Sequence, residues 1–122
     1  MRLIPLSLMP REDRAPFFDG WDTTAAVYYF DCSQCGAPVK VPFTTMHHGA
    51  WGWKERFSPS DVASIQELFG LTNRCKAFEG GWPSVSDTTC GACGAHHVFY
   101  ADFDEYRNSV YRIVAQGLAH AA

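Results

Sequence analysis

The sequence predicts an α+β protein with two β-hairpins, a helix inserted between them and a second helix at the C-terminus. Three observations lead there. Two short cysteine turns, Cys32-Ser33-Gln34-Cys35-Gly36 and Cys90-Gly91-Ala92-Cys93-Gly94, each lie between runs of strand-forming residues. A serine-capped amphipathic segment begins at Ser58, and a second capping pattern of acids occurs at Asp102 and Glu105. The chain has 122 residues, 47% of them hydrophobic, so residues 1–122 are expected to form one domain with a real core.

Residues 1–20 read as an N-terminal arm. Their apolar stretch is short, is broken by Pro5, and runs into Arg11-Glu12-Asp13-Arg14 rather than a small-residue cleavage site, so a secretory signal is not expected. Residues 24–31 hold Val27-Tyr28-Tyr29-Phe30 and read as a strand. After the first cysteine turn, Pro38-Val39-Lys40-Val41-Pro42 alternates like a returning strand. The second half repeats the plan, with Val85 to Thr89 leading into Cys90 and Ala95 to Tyr100 leading out.

Residues 46–84 form the insertion between the turns. Ser58 is a cap, Pro59 suits the first helical position, and Asp61 completes the start. Val62, Ile65, Leu68 and Phe69 follow at helical spacing, and Gly70 is a natural stop. Segments 46–57 and 71–84 read as loops carrying Trp51-Gly52-Trp53 and Gly80-Gly81-Trp82-Pro83. At the C-terminus, Tyr106, Val110, Ile113 and Val114 suit one helical face behind the Asp102/Glu105 pattern. The run Val110-Tyr111-Arg112-Ile113-Val114 would also serve as a strand.

The balance of charge narrows the function. Net charge is −3, and no basic run exists: Lys40, Lys54 and Lys76 are scattered and the arginines do not cluster. That disfavours an electrostatic grip on a phosphate backbone. No segment reaches the ~20 apolar residues needed to span a membrane. Five cysteines, four of them in close pairs, fit thiolate ligation in a reducing, cytoplasmic compartment better than a disulfide framework.

Two C-x-x-C turns brought face to face make a four-sulfur tetrahedron of the kind Zn²⁺ prefers. The turns resemble the paired knuckles of zinc-ribbon and rubredoxin-like proteins, over roughly residues 24–45 and 85–101. That resemblance implies a zinc-ribbon-like sheet and makes Cys32, Cys35, Cys90 and Cys93 the metal ligands. The separation of the turns exceeds the ~15–20 residues of compact ribbons, which makes the middle segment an insertion. Zn²⁺ is expected in a structural role, since four thiolates leave no position for water or substrate. Iron could occupy the same ligands in a redox role.

Other groups compete for attention. His96 or His97 could replace one thiolate; the simpler reading has one hydrogen-bonding a ligand sulfur and the other facing solvent at the start of a strand. His47-His48 with Cys75, flanked by Arg74 and Lys76, could form a cysteine–histidine pair, though a lone cysteine is more often a small core residue. Asp102, Asp104 and Glu105 are read as helix-start acids rather than acid–base or cation-binding groups. Glycine-bearing loops hold Trp51, Trp53 and Trp82 in a chain that is 15% aromatic, with Lys54 and Arg56 beside them. These five residues are the expected partner contacts, tryptophan being a favoured interface anchor. Tyr28, Tyr29, Phe99 and Tyr100 are the candidates for stacking bases, without the basic groove that accompanies such stacking.

The expected function is therefore a non-enzymatic, zinc-stabilised module that binds a protein. An immunity- or antitoxin-type inhibitor of a partner enzyme is one concrete form. A zinc-ribbon accessory protein of nucleic-acid metabolism is the alternative, and a small redox or thiol enzyme the third.

Overall fold

Strand-forming residues build most of the molecule. The computed structural model describes residues 1–6, 11–12, 17–19, 26–107 and 110–122. In chain order the elements are β1 (Leu3–Pro5), β2 (Arg11–Glu12), β3 (Phe17–Asp19), β4 (Ala26–Asp31), β5 (Pro38–Pro42), α1 (Phe43–Ala50), a 3₁₀ turn (Trp53–Arg56), α2 (Pro59–Phe69), β6 (Trp82–Thr89), β7 (His96–Arg107) and β8 (Val110–Ala121). They form two antiparallel sheets. The larger has the order β1-β8-β7-β6, with β3 also paired to β8; the smaller is β2-β4-β5. Parts of the expected N-terminal arm thus appear as β1, β2 and β3, and residues 7–10, 13–16 and 20 lie outside the described residues.

Both expected hairpins are present. Strands β4 and β5 flank the first cysteine turn and pair from Ala26↔Pro42 to Asp31↔Pro38. Strands β6 and β7 flank the second and pair in unbroken register from Trp82↔Phe103 to Thr89↔His96. The hairpins lie in different sheets, so they do not form a single continuous ribbon.

The C-terminal helix does not form. Residues 96–107 and 110–121 are two 12-residue strands paired to each other. Strand β7 buries both faces, which removes the apolar–polar alternation that would have announced it. Phe99, Ala101 and Phe103 face a core shared with Tyr28, Phe30, Val39 and Val41 of the small sheet and with Phe43, Met46 and Ala50 of α1. Val98 and Tyr100 point the other way, into a core with Val85, Trp53 and Ile65 of α2. Strand β8 contributes Ile113 and Leu118 to the first core, out of phase for a simple strand. A register shift explains this: Tyr100 pairs with Gly117 but Ala101 pairs with Ala115, leaving Gln116 as a bulge.

Helix α2 follows its start and stop signals. Ser58 accepts from the Asp61 amide at 3.2 Å, Pro59 occupies the first turn, and Gly70 ends the helix at φ 62°. Helix α1 lies where a loop was expected. It has no side-chain cap and no acid in its first turn. Burial supports it instead: Phe43, Met46, Gly49 and Ala50 face inward at helical spacing. Ser84 Oγ donates to the Met46 carbonyl at 2.6 Å, and Ser86 Oγ donates to that of Thr45 at 3.3 Å, fastening α1 to β6. No helix among the described residues is long and apolar enough to cross a membrane.

Candidate metal centre

Each cysteine turn is built by the same three backbone features. The Cys32 amide donates to the Ala37 carbonyl at 2.8 Å, and the Gly36 amide donates to the Cys32 carbonyl at 2.9 Å. In the second turn, Cys90 bonds Ala95 at 2.9 Å and Gly94 bonds Cys90 at 2.9 Å. Gly36 and Gly94 adopt φ 77° and 78°, a left-handed conformation that costs glycine little and other residues more. That is why glycine follows each second cysteine.

The two turns converge. The sulfurs of Cys32 and Cys93 lie 3.6 Å apart, as do those of Cys35 and Cys90, and all four lie within 4.8 Å of one another. Bonds of ~2.3 Å from one metal to four thiolates would set neighbouring sulfurs about 3.8 Å apart. The donor set therefore fits a tetrahedral metal ion, and the four cysteines could hold one. Cys32 and Cys90 are buried at the ends of β4 and β6, whereas Cys35 and Cys93 are exposed.

The thiols are electrostatically coupled. Burial pushes Cys32 up, but the amides of Gln34 and Cys35 and the neighbouring thiols outweigh it and hold the group at about 6. Cys90 is lowered by the amides of Cys93 and Ala92. The Ala95 amide pulls Cys93 down, yet desolvation and the other three thiols push it up to about 12. Cys35 is also raised: its thiol neighbours Cys90 and Cys32 and its desolvation outweigh the Ala37 amide and the Cys93 thiol. Four thiolates this close repel one another, and a divalent cation relieves that repulsion.

The neighbouring histidine has a defined task. His97 is fully buried on β7, and its Nε2 accepts from the Ser33 amide at 3.3 Å and stands 2.9 Å from Ser33 Oγ. An acceptor at Nε2 assigns the proton to Nδ1, which has no partner among the described residues. His97 thus bonds Ser33 of the first knuckle rather than a cysteine sulfur, the partner expected from the sequence. His96 is exposed, 3.2 Å from Thr89 Oγ1 and 3.5 Å from Asp87.

The remaining candidates scatter. Cys75 rests against Asp102, and burial followed by that carboxylate pushes its thiol up to about 11, the wrong direction for a nucleophile. His47 belongs to an aromatic group with Phe43, Trp51, Phe103 and Tyr111, and its Nε2 accepts from Trp51 Nε1 at 3.1 Å. Asp102 is not a helix cap. It is a fully buried carboxylate accepting from Tyr100 Oη at 2.6 Å, the Ala77 amide at 2.8 Å, and the Lys76 amide and Gln116 Nε2 at 3.1 Å each. Asp104 pairs with Arg112, whose Nε donates at 3.0 Å.

Among the tryptophans, Trp51 is 48% exposed and its ring lies 4.7 Å from that of half-buried Trp82. Lys54 and Arg56 are exposed. Trp53 is only 5% exposed and is a core residue, so it leaves the expected contact surface. Tyr28, Phe99 and Tyr100 are likewise buried and cannot stack a base. Sequence reading passed over Ser33 as a contact and missed Asp102 as a buried acceptor, because each finds its partners far along the chain.

Comparison with models of protein families, with curated proteins and with solved structures returned no match. The zinc-ribbon resemblance therefore rests on the four-cysteine cluster alone.

Proposed function

We propose that Cys32, Cys35, Cys90 and Cys93 hold a structural Zn²⁺ ion, and that the chain is a non-enzymatic, zinc-stabilised protein-binding module of the reducing cytoplasm. The observation that carries the metal half is the convergence of four sulfurs from two hairpins to within 4.8 Å. Four thiolates complete a tetrahedron, so zinc bound there would cross-link the hairpins and present no open position for a substrate. The binding half is supported by Trp51, which stands out of the surface against Trp82 with Lys54 and Arg56 nearby. An aromatic anchor with a polar rim suits a partner offering an apolar pocket. In the immunity- or antitoxin-type version, the acidic excess of the chain faces a basic cleft of an enzyme.

Elemental analysis of purified protein, joined to affinity capture from native extract, tests both halves. One zinc per chain, with stoichiometric capture of one protein that Trp51→Ala abolishes, is the expected result. Protein without zinc removes the first half. Capture indifferent to Trp51→Ala and to a Lys54→Ala/Arg56→Ala double variant removes the second.

A further inference from the structure

The two knuckles share a backbone but not a tether. At the tip of the first, Ser33 bonds His97 of β7 through its amide and its hydroxyl. Gln34 Nε2 lies 3.2 Å from Ser33 Oγ and 3.4 Å from His120 Nδ1 on β8. The second tip carries Gly91 and Ala92 at the corresponding positions. Among the described residues, no side chain of another element bonds either one, and a Cβ built on Gly91 would meet nothing within 4 Å.

We propose that His97 is a latch that holds the first knuckle in its ligating shape, leaving the Cys90–Cys93 knuckle as the half that opens when metal enters or leaves. The proposal rests on the metal-site reading above. His97 fixes the Ser33 amide, and the next amide, that of Gln34, donates to Cys32 Sγ at 3.4 Å. Holding the Ser33 peptide therefore restrains the Gln34 amide where it meets the sulfur, a restraint that the matching Ala92 amide beside Cys90 lacks, as residues behind a ligand orient it in other metal sites. The identity of the residue fits this role. His97 packs edge-on against Phe30 at 5.1 Å, a place an aromatic hydrocarbon could fill, and it differs from one by offering Ser33 an acceptor.

The test compares matched cysteines. Cys35 and Cys93 are both exposed, and Cys32 and Cys90 both buried, so labelling rates within each pair isolate the tether from exposure. Zn²⁺- or Co²⁺-loaded protein is challenged with a chelator and a thiol-alkylating reagent, and the labelled positions are mapped by mass spectrometry. In the wild type, Cys93 should label about threefold or more ahead of Cys35, and His97→Phe should erase that order and speed metal loss roughly tenfold. His97→Gln, which keeps an acceptor, should restore much of the order. Ser33→Ala changes an exposed residue, is expected to leave the core intact, and should fall between. The Co²⁺ thiolate absorption reports the ligand geometry of each variant independently of its stability. Equal labelling of Cys35 and Cys93 in the wild type overturns the latch, as does unchanged metal loss in both His97→Phe and Ser33→Ala. A wild-type protein that takes up neither metal overturns the metal site itself and the latch with it, which keeps the two failures apart.

Discussion

Asp102 shows how one residue can be misread and still matter. Its carboxylate accepts four hydrogen bonds and so joins the 71–81 loop to β7 and the β8 bulge through Ala77, Lys76, Tyr100 and Gln116. Removing a buried acceptor strands its donors, so Asp102→Ala should cost about 3 kcal/mol or more, read as a lower urea midpoint. The tryptophans give a paired prediction. Trp53→Ala should cost about 3–5 kcal/mol, because it empties part of the core around Ile65, whereas half-exposed Trp51→Ala should cost much less. A similar loss in both variants would put Trp51 in the core. At the same scale, burial and then His48 hold the His47 pKa below its ordinary 6.5, with Glu105 opposing them. The unfolded chain therefore binds this proton first as pH falls. The contribution of neutral His47 is complete above pH 6.5 and is lost as pH drops from 6.5 toward the lower folded value. Denaturation at pH 7.5 and 5.5 should show a smaller acid loss in His47→Gln than in the wild type.

Among the elements, those with local signals were legible and those made by packing were not. The cysteine turns with their flanking strands could be read directly, since glycine and cysteine spacing are local features. Helix α2 could be read as well, because Ser58, Pro59 and Gly70 mark its ends within the element itself. Helix α1 lacks such marks and depends on β6 beneath it. Strand β8 was ambiguous because Val110 to Val114 suit a helix or a strand, and its Gln116 bulge moves Leu118 back onto the inner face and breaks the period of two. The clustering of the four cysteines was legible, but Ser33 and His97, 64 positions apart, were not readable as a pair. The bulge carries its own prediction. A Cβ at Gly117 would stand 2.6 Å from the Phe69 ring, so Gly117→Ala should push α2 off the sheet or turn that ring. The expected cost is about 1–3 kcal/mol in a chemical denaturation curve, and a neutral result would show that Phe69 moves freely.

For the whole molecule, a metal held by the four cysteines would join parts that already share a core. Tyr28, Phe30, Val39 and Val41 from one sheet pack with Phe99, Phe103, Ile113 and Leu118 from the other, and Cys32 and Cys90 belong to the same cluster. The Tyr28 hydroxyl adds a buried bond of 2.6 Å to the Ile113 carbonyl. Chelation should therefore lower the melting temperature while leaving the far-ultraviolet dichroism of the sheets in place, unlike a zinc finger that unfolds without its ion. Complete loss of that signal on chelation would show that the shared core cannot stand alone. Cys32→Ser and Cys90→Ser should repeat the effect of chelation, and Cys75→Ser should leave metal content unchanged.

The order of the sheets has a consequence for self-association. Among the described residues, β5 closes the small sheet and β6 one side of the large one. A free sheet margin is a template on which a second chain can polymerise. Strand β5 begins and ends in proline, which has no amide hydrogen to offer, and bears exposed Lys40 between them. Strand β6 carries Pro83 near its start, exposed Asp87 near its end, and α1 fastened along its middle. Growth by strand addition is discouraged on these two margins, so a protein that docks beside them must be met by side chains.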